Sequence, residues 1–323
     1  MVTNLHYFYN KKYFSGATLE EVSQREVKGN IPGIDGHNAT MTGYTLPAEV
    51  IDQFYDGLPC THILEFKIGY PGLVTGIGLG HEINAQGEYK LGMHFDYTYG
   101  LPLIYGSSVK GVLHSNFHHF TDRIRLENGK LKLYAATLPI NEQKGVRLAD
   151  DEELAKMIER SIFGSTLEAD DDESEHLPVG DRDIFFDGIP FCPQSDTPVL
   201  SADYLCPHGD NPFKNPVPIS FLRISPGVMV RLAFRLVDTI ISYNGSDVPI
   251  EANLKYVLYR DILAEVGLGA KTNVGYGVLS KTAVKRIDAS GKVIVTAYGA
   301  AGAKTQEYEN AKLADYISQN VVY

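Results

Sequence analysis

Four glycines within eleven residues, Gly267-Leu-Gly-Ala-Lys-Thr-Asn-Val-Gly-Tyr-Gly277, enclose a lysine and a threonine. Glycine reaches positive φ without a Cβ clash and lets a second backbone come close. Lys271 adds a cation and Thr272 a hydroxyl, so the stretch suits a phosphate backbone. Its spacing excludes two nucleotide motifs. A P-loop has four residues between its first glycine and Gly-Lys-Ser/Thr and follows a strand; here Ala270 precedes the lysine and a helical pattern precedes the loop. A dinucleotide fingerprint also follows a strand. On the residues alone, a glycine helix stop with a tight turn into a strand is an equal reading.

A second cluster, Gly106-Ser-Ser-Val-Lys-Gly111, stands where a helix begins. Ser107 or Ser108 is a natural N-cap. Two hydroxyls, open amides and Lys110 at a helix start also make an anion site. Ser108 and Lys110 as nucleophile and base are disfavoured, because i and i+2 point to different sides of a helix. His114 and His118 have the i, i+4 spacing of zinc ligands, but Ser115 stands where His-Glu-x-x-His requires a glutamate. Asp181, Asp183 and Asp187 lie on or beside a strand; Asp183 and Asp187 would share a face, with no third metal ligand in view. Tyr89, Tyr97, Tyr99 and Tyr105, with Phe95, suit either stacking on bases or packing of an insertion or interface.

The elements that must position these groups follow from periodicity. Thr61 to Ile68 alternates as a strand, and apolar residues from Val109 to Phe117 recur at helical spacing. Asp151 to Phe163 is a helix opened by acids. Residues 168–176 carry six acids and no lysine or arginine and read as a mobile surface loop. Residues 183–191 and 198–205 read as strands, and Ile219 to Val237 as two strands joined by the turn Ser225-Pro-Gly227. Glu251 to Val266 is an amphipathic helix, and Val278 to Lys285 a strand. Residues 304–319 read as a last helix. Before residue 59 only Leu46 to Tyr55 reads as a helix, begun by Pro47; the rest is an irregular extension wrapped on the core or on a partner. Strand, helix, strands, helix, strand suits an α+β sandwich of the ferredoxin-like kind, expanded by insertions.

The 323 residues, 44% hydrophobic and 21% charged, suit a globular chain. The N-terminus shows no secretory signal and no apolar run approaches a bilayer span. Cys60, Cys192 and Cys206 are too few and too far apart for a disulfide framework or a Cys-x-x-Cys zinc site, which points to a reducing cytoplasm. A net charge of −11 speaks against an autonomous nucleic-acid binder and for a local basic site completed by partners.

Together the two glycine-bearing motifs resemble the RAMP superfamily of CRISPR effector subunits. Its signature Gly-x-Gly-x-Lys-Thr-x-x-Gly-Tyr-Gly is matched from Gly267 to Gly277. Residues Gly100 to Gly111 resemble its Pro-x-Ile-Pro-Gly-Ser-Ser-x-Lys-Gly, with Tyr105 in place of a proline. Phe163-Gly-Ser165, Phe185-Phe-Asp-Gly-Ile-Pro190, Asp203-Tyr-Leu-Cys-Pro-His208 and Pro218-Ile-Ser-Phe-Leu222 look like the type III-B (Cmr) branch. The resemblance covers roughly residues 60–285.

It implies a ferredoxin-like (RRM-like) RAMP core with long insertions at 59–285, an N-terminal extension at 1–58, and a tail at 286–323 with a short helix. It also implies a cytoplasmic, non-catalytic RNA-binding subunit without a cofactor or metal. Its partners would be crRNA, target RNA, the repeated backbone RAMP subunit, the terminal RAMP subunit and the small subunit. Carried onto this chain, the RNA-binding residues are Ser107, Ser108, Lys110, Gly111, Gly267, Gly269, Lys271, Thr272, Asn273, Gly275 and Tyr276. Two alternatives stand beside it: a metal-independent endoribonuclease using His81, His94 or His114, and a pure protein-interaction module.

Overall fold

The computed structural model describes residues 4–24, 31–76, 85–89, 93–136, 138–164, 181–192, 197–206, 218–287, 293–297 and 321–322. The stretch before residue 59, read above as mostly irregular, is largely helical: α1 (Leu5–Tyr7, continued by a π turn through Lys12), α2 (Leu19–Gln24), α3 (Ile34–Thr42) and α4 (Ala48–Tyr55, behind Pro47). Gly16, Pro32 and Gly43 break it into pieces too short for a periodic window, which is why the pattern is weak. Leu5, Tyr9, Tyr13, Ile34, Met41, Ile51 and Tyr55 are nevertheless buried in the main core.

β1 (His62–Ile68) follows, then α5 (Gly106–Phe120), the hairpin of β2 (Ile124–Glu127) and β3 (Lys130–Tyr134), β4 (Val146–Arg147) and α6 (Glu152–Phe163). Asp151 caps α6 by accepting from the Leu154 amide at 3.0 Å. Next come β5 (Ile184–Phe185), β6 (Ile189–Phe191), β7 (Leu200–Leu205), β8 (Ile219–Ile224), β9 (Met229–Arg235), the hairpin of β10 (Thr239–Tyr243) and β11 (Ser246–Ile250), and α7 (Ala252–Val266). β12 (Leu279–Ile287), β13 (Val293–Ala297) and β14 (Val321–Val322) close the chain.

The main sheet runs β13-β12-β1-β9-β5, with β6 also paired to β9, and every pairing is antiparallel. The turn Ser225-Pro-Gly227 does not make a hairpin: β8 pairs with β7, and β9 with β1. A turn signal fixes a chain reversal, not the strand that each arm joins. Residues 168–176 and 304–319 lie outside the described residues.

Both faces of β1 are buried. His62 lies against Tyr256 of α7, whose hydroxyl donates to the Ile63 carbonyl at 2.9 Å. On the opposite face Glu65 meets Arg231, its cross-strand partner, at 2.7 Å, and Arg231 reaches Asp52 of α4 at 2.6 Å. α4 thus covers the sheet face that α7 leaves. Among the described residues no helix is long and apolar enough to cross a membrane.

Candidate nucleic-acid interface

α7 ends at Gly267, whose amide donates to the Leu263 carbonyl at 3.0 Å. The loop beyond it is tied down by backbone. Leu268 donates to Gly277 (2.9 Å), Ala270 to Val74 (2.8 Å) and Gly277 to Gly72 (2.8 Å). Within it Val274 and Tyr276 donate to Lys271, and Gly275 to Thr272, around a short 3₁₀ turn, Thr272–Val274. The glycines serve these crossings. A Cβ at Gly277, where φ is +77°, would overlap the Leu268 carbonyl. Most loop amides are therefore used inside the protein, which leaves the Lys271, Thr272 and Asn273 side chains as its means of meeting a phosphate. Backbone holds the loop as a glycine stop, with Thr272 and Asn273 exposed and Lys271 half-buried.

Lys271 itself adopts φ +63°, the left-handed region. Tyr276 does not offer its ring to a base. It is buried against Phe221, and its hydroxyl donates to Asp203 at 2.6 Å; Asp203 also pairs with Arg223 at 2.7 Å. Burial, then the Asp203 carboxylate, push the phenol up to about 12. Asp203, Arg223 and Gly72 support the loop yet were absent from the sequence candidates. The punctuation Gly69-Tyr-Pro-Gly72 was the available signal for the last of them.

The helix start differs from expectation. α5 begins at Gly106 behind Tyr105, so Ser107 and Ser108 lie inside the first turn and neither caps it. The Gly106 amide donates to the Asp187 carboxylate at 2.7 Å. A cap from a residue distant in sequence thus occupies part of the anticipated anion site. Gly106 must be glycine because a Cβ would overlap the Phe185 carbonyl. Ser107, Ser108 and Gly111 are exposed. Lys110 is half-buried beside Arg182 and Asp183, and desolvation, then Arg182, lower its pKa. The two motifs are not neighbours: the loop leads into β12, whereas the α5 start packs on β5 at the opposite side of the β12-β1-β9-β5 order. Replacing Asp187 by alanine is expected to cost about 1 kcal/mol, the usual worth of an N-cap, read as a lowered urea midpoint.

Several of the remaining candidates have packing roles. Asp183 is a buried partner of Lys255 (3.1 Å), and it accepts from the Val237 amide and the Tyr259 hydroxyl. His114 contacts Glu159 at 2.9 Å and stacks on Phe163, joining α5 to α6. His94 packs against Tyr105 with the rings tilted, and burial lowers its pKa. His81 lies outside the described residues. Tyr89 and Phe95 belong to the core, whereas Tyr97 and Tyr99 are exposed. Among the described residues no group of three or more His, Cys, Asp or Glu side chains is placed to hold a metal ion.

The model of the RAMP superfamily matches residues 65–280, from within β1 to the start of β12. The chain belongs to the RAMP superfamily. The matched span contains both the α5 start and the glycine loop of this RAMP chain. A similar relative is the CRISPR system Cmr subunit Cmr6 of Pyrococcus furiosus, 26% identical over 296 residues that cover 81% of this chain and 78% of the relative. Solved structures include a chain of the type III-B Cmr-beta bound to cognate target RNA, with 18% identity and a TM-score of 0.43. That match covers 77% of this chain and 64% of that one, so this RAMP chain spans under two thirds of its length. The crystal structure of Cmr6 from Pyrococcus furiosus matches with 21% identity and a TM-score of 0.34, over 67% of this chain and 96% of that chain.

Proposed function

We propose that this RAMP protein is a non-catalytic, RNA-binding structural subunit of a type III-B CRISPR-Cas effector (Cmr) complex. It contacts crRNA and the guide–target duplex near the crRNA 3′ end and supports the backbone of the complex beside its other RAMP subunits and the small subunit. Similarity to Cmr6 supports the assembly. The strand order β12-β1-β9-β5, with α5 after β1 and α7 after β9, supports a ferredoxin-like core. The engagement of His114 with Glu159 and Phe163 supports a structural rather than a basic role for that histidine.

The observation that carries the RNA contact is Lys271. It holds a conformation that glycine adopts more easily, at the outer turn of a loop fastened by backbone bonds. Strain of this kind at a partly exposed cation points to a role for the side chain beyond folding.

Lys271→Gly is therefore expected to leave the protein as stable or more stable, by up to about 1 kcal/mol. The same change weakens crRNA retention in the assembled complex, with a salt dependence shallower by about 0.7–0.9 in log K per log salt for each lost phosphate contact. Unchanged retention and slope would sink the contact. Cleavage of labelled RNA by the purified chain without metal, abolished in His114→Ala, would overturn the non-catalytic reading.

A further inference from the structure

The first turn of the chain and the turn at residues 96–100 form one surface. Leu5 donates through its amide to the Gly100 carbonyl at 3.0 Å, and the Asn4 side chain donates to the Thr98 carbonyl at 3.2 Å. The turn itself is closed by Gly100 donating to Asp96 at 3.0 Å, and the Asp96 carboxylate accepts from the Tyr99 amide. This backbone holds two tyrosines outward: Tyr97 is 81% exposed and Tyr99 62% exposed. The His6 ring meets Tyr97 edge-on at 4.9 Å. Tyr7, 53% exposed, lies under the Lys12 ammonium at 5.5 Å. Lys11 and Lys12 are exposed at the end of the π turn.

The charge of this patch runs against that of the whole chain. Residues 1–18 contain no acid on a protein of net charge −11, and the one carboxylate of the adjoining turn, Asp96, is engaged by backbone. Exposed aromatic rings beside lysines are what a single strand of nucleic acid requires: π faces for bases and cations for the phosphates between them. Tyrosines also serve protein interfaces, but lysines are depleted there, so the exposed ammonium groups beside these phenols favour a nucleic acid.

We propose that Tyr97 and Tyr99, flanked by His6, Tyr7, Lys11 and Lys12, are a second RNA contact, on which unpaired bases stack while the lysines meet the backbone. The proposal rests on the RNA-binding reading and adds to it a site apart from the glycine loop.

Because these side chains are exposed, their replacement leaves the fold intact, which thermal melting checks. The complex assembled with the full chain, or with each variant, is titrated with a fluorescent single-stranded oligouridine probe by anisotropy at several salt concentrations. Tyr97→Ala/Tyr99→Ala is expected to weaken binding by roughly tenfold or more, the usual effect of losing stacked bases. Lys11→Ala/Lys12→Ala is expected to flatten the salt slope by about 0.7 per lost phosphate contact. If both double variants bind like the parent while Lys271→Gly loses affinity, the platform is overturned and the loop reading stands. If all variants match the parent, or the parent itself fails to bind, both are overturned. Weakened binding of a Cmr subunit with unaltered RNA affinity would assign the patch to a protein partner, and so also refute the proposal.

Discussion

Asp183→Ala is expected to cost about 3–5 kcal/mol of folding stability, the range for breaking a buried ion pair from one side. Asp183 and Lys255 each have 0% side-chain exposure. Burial pushes the Asp183 carboxyl up and the Lys255 ammonium down, although each partner pulls the other back toward its charged form. Attraction within the pair is thus largely offset by desolvation, and its loss leaves Lys255 buried beside the Val237 carbonyl at 2.8 Å, with the Asp238 charge as a lesser compensation. The double variant Asp183→Leu/Lys255→Met should recover most of the loss, since an apolar pair of similar volume has no charge to desolvate. Urea denaturation of the two variants decides. A single-variant loss below about 1 kcal/mol, or a double variant no better than the single, would contradict the account.

The second large effect is at the base of the glycine loop. Gly277→Ala is expected to cost about 3 kcal/mol or more, because strain at positive φ adds to a Cβ driven into a backbone carbonyl. Gly275→Ala should cost only about 1–2 kcal/mol: its φ of +94° is as strained, but the nearest atom to a new Cβ is the Pro71 Cδ at 3.7 Å. Gly277→Ala should also expose the Lys271 region to limited proteolysis, whereas Gly275→Ala should not. Equal losses at both positions would mean that the backbone crossing with Leu268 does not hold the loop.

The contrast between these two glycines marks what can be read from sequence. Four glycines in eleven residues announced a loop that other backbone approaches, and α6, with Asp151 before its acids, announced its own start. β1, α5 and α7 were legible for the same reason: each is signalled by its own residues. What stayed hidden depends on residues far apart in the chain. The cap of α5 is Asp187 rather than a local serine, and β8 and β9 find different partners after a common turn. Tyr276 could be placed on the loop, but only its bond to Asp203 turns it into a brace. The four tyrosines before α5 were one compositional cluster; folding sends Tyr89 into the core and leaves Tyr97 and Tyr99 outside. Of the helices before β1, α4 was legible behind Pro47, whereas α1, α2 and α3 were not, because each is short and weakly patterned.

The loop's fastenings also bear on when it can exist. Gly72 and Val74, which accept its backbone bonds, lie in the first quarter of the chain, while Lys271 lies in the last. Joining such distant segments carries a closure entropy that local contacts do not, so the pairing belongs late in folding. A nascent chain still short of Gly277 would have Gly72 and Val74 in place with nothing to receive. Presentation of Lys271 would then report that both ends of the molecule have come together, and an incompletely folded subunit would be poorly equipped to compete for RNA.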